Sequence, residues 1–174
     1  MKITYTELAN PTAEIVSTFN KWANDPALIP FIRPNFSKEA LEKRDVITVT
    51  SLLERLKYTQ IYLIHLDGKL VGELSFQIDP QQLCLRIPGS AWLGINIGDA
   101  SARGKGVGTQ AMQYLEDEIR AQGLKRIELG VFEFNQNAIG LYKKMGYREI
   151  ARIENFTYWD GKMWTDIRME KRLK

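Results

Sequence analysis

Residues 102–109 read ARGKGVGT, with glycine at 104, 106 and 108, one cation before the first glycine, another after it, and a threonine at the end. Glycine at every second position removes the Cβ atoms that would close parts of φ/ψ space, and lets backbone N–H groups lie against something bulky. On one side lies an alternating apolar run, AWLGINI (91–97). On the other, Val107, Ala111, Leu115 and Ile119 recur at four-residue steps, so the glycines join a strand to the start of a helix that runs to about Gln122, with Gly123 just past its end. The first amides of a helix have no intrahelical acceptor, and the macrodipole places partial positive charge there. Such a loop suits an anion, above all a phosphate. Thr109 can add a hydroxyl, and Arg103 or Lys105 a countercharge.

The spacing separates this loop from two familiar phosphate cradles. A P-loop needs G-x-x-x-x-G-K-[ST], whereas here Lys105 sits between glycines and no Lys-Thr pair follows the last. The dinucleotide fingerprint needs G-x-G-x-x-G within alternating βαβ units. This chain has G-x-G-x-G after some hundred residues without that alternation.

Outward from the loop, the pattern predicts a mixed α/β (α+β) fold on a mostly antiparallel sheet. KITYTEL (2–8) alternates as a first strand, and TAEIVSTFNKWAN (12–24) carries Ile15, Val16, Phe19 and Trp22 at helical spacing. Prolines at 26, 30 and 34 break the chain. Ser37 then caps a second helix in KEALEKR, and a short helical piece follows Thr50 in SLLERLKY. QIYLIHL and KLVGELSFQI flank Asp67-Gly68, the pair favoured in a type I′ turn, and form a hairpin. After the long helix, RIELGVF (126–132) is a strand and NQNAIGLYKKM (135–145) a helix capped by Asn135 and ended by Gly146. YREIARIENF and MWTDIRME close the chain as strands joined across Asp160-Gly161.

The 174 residues suit one domain, 1–174, with no repeat or low-complexity linker to divide it. The charged share is 26% and the net charge +3, with both signs interspersed, so neither a nucleic acid nor a membrane is expected as partner. No apolar run reaches membrane-spanning length, and the start, MKITYTELANPTAE, lacks a signal-peptide core, so the expected compartment is the cytoplasm. Cys84 is the only cysteine, which leaves no intrachain disulfide and no Cys-rich metal site.

ARGKGVGT also matches the R/Q-x-x-G-x-G/A signature of the GCN5-related N-acetyltransferase (GNAT) superfamily, through Arg103, Gly106 and Gly108. About 30 residues later, N135-x-x-A138-x-x-L141-Y142-x-x-x-G146-Y147 resembles the second motif of the same family. The resemblance is strongest over roughly residues 60–155, and its layout is most like the ribosomal-protein and polyamine N-acetyltransferase branch.

That resemblance implies a sheet split between the strands around 92–97 and 126–132, with the pantetheine arm of acetyl-CoA between them. The pyrophosphate would rest on the amides of Gly104, Lys105, Gly106, Val107, Gly108 and Thr109. Ile95 and Ile97 would offer backbone groups to the arm, and Asn135 would contact it. Tyr142 would protonate the departing thiolate. Glu73 and Glu133 are the candidate bases for the acceptor amine. The implied activity is acetyl transfer from acetyl-CoA to a primary amine, by direct attack in a ternary complex without metal. A non-catalytic acyl-CoA-binding or regulatory domain is the alternative. The acceptor, a small molecule or a peptide, stays open, as does the choice between monomer and homodimer. Phe19, Trp22, Phe31, Phe36, Tyr158 and Trp159 fall where such folds shape the acceptor site. His65 alternates with apolar residues in its strand and reads as a packing or solvent-facing residue, not as a base.

Overall fold

Two Asp-Gly turns set the hairpins of this protein. Asp67 and Gly68 have φ of 50° and 84°, and Asp160 and Gly161 have 49° and 80°, the left-handed pair that matches the twist of antiparallel strands. The first joins β2 (Gln60–Leu66) to β3 (Lys69–Ile78), the second β6 (Arg148–Trp159) to β7 (Lys162–Arg172). The computed structural model describes all residues 1–174. With β1 (Ile3–Glu7), β4 (Ser90–Asn96) and β5 (Arg126–Phe132), these strands form one seven-stranded sheet in the order β1-β2-β3-β4-β5-β7-β6. Only β4 and β5 run parallel, and their pairing covers three residue pairs, Ser90 with Arg126 to Trp92 with Glu128. Beyond Trp92 the two strands part, as the mixed and split sheet expected from the sequence requires.

Helices cover both faces. Helix α5 (Val107–Ala121) lays Ala111, Met112, Leu115 and Ile119, all fully buried, against Leu74, Phe76, Leu93, Ile127 and Leu129 on one face, joined by Ile139 and Tyr142 of α6 (Gln136–Lys144). Truncating any one of the larger of these aliphatic side chains to Ala costs about 2–5 kcal/mol. On the other face, Phe19 and Trp22 of α1 (Ala13–Ala23) and Leu52 of α4 (Val49–Leu56) close over Leu8, Ile61 and Leu63. Thr12 caps α1, and Thr48, not Thr50, caps α4 through a reciprocal bond with Ser51. A short helix α3 (Lys38–Glu42) is capped by Ser37. The proline-marked break contains one helical turn, α2 (Ile29–Ile32); Pro30 sits in its first turn, where a missing N–H costs nothing.

Asn20 and Asn24, one turn apart on α1, hold the irregular segment before α4. Asn20 exchanges side-chain bonds with the backbone of Ile47, and Asn24 does the same with Asp45. That segment is thereby fixed beside the widening gap of the sheet. No helix is long and apolar enough to cross a membrane.

Candidate functional site

The separation of β4 from β5 opens a cleft of about 670 Å³ that runs through the sheet. Its β4 wall can be read from one hydrogen bond. The Ser90 carbonyl accepts from the Asp79 amide on the β3 side, and the register between β3 and β4 is unbroken. By the two-residue alternation of a strand, the backbone groups of Trp92, Gly94 and Asn96 also face β3, while those of Leu93 and Ile95 face the gap. Past Trp92 there is no strand to take them. Ile97 continues this parity, but its carbonyl is already held by Arg103 Nε at 2.9 Å.

The glycine loop follows β4, whose last residue, Asn96, lines the cleft. A 3-10 turn (Ala100–Ala102) leads from Asp99 into the loop, and Gly104 and Gly106 both adopt left-handed φ, 71° and 77°. Gly106 is the N-cap of α5 and offers no side-chain cap. The first hydrogen bond into the helix is donated by Gln110 to the Gly106 carbonyl, so the amides of Gly104 through Thr109 have no acceptor inside the protein. The space where a Gly106 Cβ would stand is open, with nothing within 4 Å. Six free amides at a helix start, with open space beside Gly106, fit a phosphate or pyrophosphate. Lys105 is exposed beside them. Arg103 is differently employed: its guanidinium binds the carbonyls of Ile97 and Gly98 and ties the loop to the end of β4.

Tyr142 of α6 lines the cleft. It is 7% exposed, and burial pushes its phenol up to about 12, so at neutral pH it is a protonated donor. Asn135 caps α6 by accepting from the Ala138 amide, which leaves its amide nitrogen free at the cleft lining. Glu73 stands on the opposite wall, where β3 meets Asn96 of β4. Neither carboxylate oxygen accepts a well-formed hydrogen bond, and Oε2 is buried 3.3 Å from Arg55 Nη1 of α4. Burial lifts this carboxyl above the usual range, and Arg55 pulls it partly back. Glu133 is placed elsewhere: it pairs with Arg152 Nη1 at 3.0 Å and does not line the cleft. Of the aromatic candidates, Phe19, Trp22 and Phe31 line it, whereas Phe36, Tyr158 and Trp159 do not. His65 also lies outside, on β2 opposite Thr4.

The sequence reading missed the floor. Trp92, Gly130, Asp166 and Arg168 arrive from β4, β5 and β7. Arg168 donates from Nε to Asp166 Oδ2 at 2.6 Å and from Nη1 to the Gln82 carbonyl at 2.7 Å, and lies 4.8 Å over the Trp92 ring. Deeper still, Arg126 binds Glu128 and Glu170, and Glu128 accepts the amides of Cys84 and Leu85. These bonds strap the 79–90 loop against the sheet. The signal was present as alternating opposite charges, Arg126 and Glu128 on one strand and Asp166, Arg168 and Glu170 on another.

Comparison with known proteins agrees with this geometry. The YdgE protein of Bacillus subtilis, an uncharacterized N-acetyltransferase, is 38% identical over 71 residues, which cover 41% of this chain and 36% of that protein; the match thus spans about a third of that relative's length. An N-acetyltransferase from Staphylococcus aureus superposes with a TM-score of 0.75 over the full length of both chains at 20% identity. A spermidine N-acetyltransferase from Vibrio cholerae, solved with CoA and spermine, gives 0.75 over 98% of this chain and 95% of that one at 17% identity. At such identities the likeness is one of fold. Residues 20–147, which run from α1 through the glycine loop to the end of α6, match the acetyltransferase (GNAT) family, and the chain belongs to it.

Proposed function

We propose that this protein transfers an acetyl group from acetyl-CoA to a primary amine, by direct attack within a ternary complex. The observation that carries the reading is that one cleft is lined by an unpaired strand edge and a buried phenol, and that the strand bearing that edge leads directly into a loop with a set of free amides. The residues present fit the cosubstrate: Gly104 to Thr109 would hold the pyrophosphate, the gap-facing groups of Leu93 and Ile95 would bond the amide-bearing arm as a missing strand would, and Asn135 would add a side-chain donor. The Vibrio cholerae neighbour was solved with CoA, which supports CoA as the cosubstrate.

Within that frame Glu73 takes the proton of the acceptor ammonium, directly or through water, because its raised pKa makes it a better base than a free glutamate. The amine nitrogen forms its bond to the acetyl carbon, the carbon–sulfur bond breaks, and the surplus proton left on the nitrogen leaves to solvent as the amide forms. Tyr142 donates its proton to the departing sulfur and is restored from solvent. A thiol near 8.5 needs little assistance from a phenol, so the donor has to be placed well, not tuned downward. A regulatory domain that only binds acyl-CoA would need neither a buried donor nor a carboxylate of raised pKa in the same cleft, and the presence of both favours the enzyme.

The test is calorimetric titration with CoA and acetyl-CoA, followed by thiol release from acetyl-CoA with a panel of primary amines. Binding of both, with NAD and ATP inert, and turnover of at least one amine is expected. Absence of CoA binding would overturn the reading.

A further inference from the structure

The charged groups on the cleft lining cancel. Arg33 pairs with Asp45, Arg55 with Glu73 and Arg168 with Asp166, and no other charged side chain lines it. What remains is unused hydrogen-bonding capacity of both kinds. Arg168 is only 7% exposed, yet its Nη2 makes no bond within the protein and opens on the cleft. Arg55 donates no hydrogen bond at all, and its contact with Glu73 is a charge contact without bonding geometry. On the acceptor side, Glu73 and Asp166 Oδ1 are free. Gly130 makes room for this: a Cβ there would come within 3.1 Å of both Asp166 oxygens and of the Trp92 ring. The walls between these groups are Trp92, Phe132 and Phe156 on one side and Trp22 and Phe31 on the other.

We propose that the acceptor selected by this cleft is a zwitterion, a primary amine that also carries a carboxylate on an apolar or aromatic body, and that Arg168 is the residue that reads the carboxylate. The proposal rests on the acetyl-transfer reading above. A polyamine brings donors only and would set its further ammonium groups against Arg33, Arg55 and Arg168 without a surplus carboxylate to receive them. An amino acid brings one group of each kind. Its amine is taken by Glu73 and its carboxylate by Arg168, which the Trp92 face and Asp166 hold in one orientation. A site built to bond a polar group rejects the analogue that lacks it, since its own buried donor is then left unpaired.

The experiment measures kcat/KM by thiol release for L-phenylalanine and L-leucine against phenethylamine and isoamylamine, which lack the carboxylate, and against spermidine. Each amino acid is expected to exceed its decarboxylated amine by at least tenfold and spermidine by more. In Arg168→Gln the acid-to-amine ratio should fall toward one, and Arg168→Lys should restore part of it. If Arg168→Gln fails to fold, the parent panel alone decides. Equal or better turnover of the amines or of spermidine, or no turnover of any amino acid by protein that binds acetyl-CoA, overturns the zwitterion proposal and leaves the acetyltransferase reading standing. Failure to bind acetyl-CoA overturns both.

Discussion

Replacing Tyr142 by Phe removes one oxygen from the lining of the cleft and keeps the ring. The ring packs within the main core beside Tyr147, with centroids 5.9 Å apart, and the hydroxyl makes no hydrogen bond inside the protein. No intramolecular bond is therefore lost, and stability should change by less than about 1 kcal/mol. With the phenol at about 12, roughly one molecule in 3 × 10⁴ is ionised at pH 7.5. The parent is thus always loaded with the proton it donates, and its loss in the variant is complete at every working pH. General acids contribute about 10²–10⁴ in rate. Because a thiolate is already a fair leaving group, the low end applies: kcat should fall about 10²-fold, or about 2.7 kcal/mol of transition-state stabilisation. Charge on the sulfur develops only in the reaction, so the dissociation constant of acetyl-CoA should stay within about threefold of the parent. Single-turnover kinetics with calorimetry on the same sample measure both. A kcat within threefold of the parent would remove Tyr142 from the mechanism, and a lost dissociation constant would reassign it to holding the cosubstrate.

Gly106→Glu puts a carboxylate among six unbonded amides and forces a side chain onto φ 77°; CoA affinity should drop at least tenfold, about 1.4 kcal/mol, in a protein that still folds, and unchanged affinity would show that the glycines only turn the chain. Glu73 works as a base when ionised, so activity disappears as pH falls through its raised pKa, and Arg55 is the group that pulls that value down. Arg55→Met should therefore move the acidic limb of kcat/KM to higher pH; a limb that stays or moves lower contradicts the pairing. Arg126 is 2% exposed between Glu128 and Glu170, so Arg126→Met leaves two buried carboxylates short of a cation and should cost about 3–5 kcal/mol in denaturant unfolding, where a cost under about 1 kcal/mol would mean that water enters the network.

What the sequence disclosed and what it hid divide along a physical line. The Asp-Gly turns, the Asn135 cap and the glycine loop are local: each is decided by the backbone needs of two to six adjacent residues, and those can be read in order. Glu73 and Tyr142 fall on the cleft because their strand and helix were placed correctly. The floor could not be read this way, because Trp92, Gly130, Asp166 and Arg168 meet only after β5 inserts between β4 and β7. RIELGVF shows charges at alternate positions and so reads as half exposed, whereas Arg126 and Glu128 are both buried and pair with each other along one face of β5, with Glu170 of β7 completing the network. Glu133 was drawn away by Arg152, a partner nineteen positions along the chain that local pattern does not reveal. The turn α2 was hidden by the prolines, which stop a helix in its interior but are welcome at its start.

The short ladder between β4 and β5 has a mechanical consequence. Three residue pairs at one end are all that joins the leaf β1–β4 to the leaf β5–β7 through the sheet itself, so the two leaves form a hinged book with its spine at Ser90–Trp92. Breathing of that book is resisted on one cover by α5, which packs on both leaves. Amide deuterium uptake should record it: Leu93 and Ile95, on the open inner margin, exchange quickly in the free protein, while Leu74 and Phe76, one strand away, exchange slowly. An occupant that bonds both margins acts as a clasp, and slowed uptake at Leu93 and Ile95 would register its arrival before any chemistry is assayed.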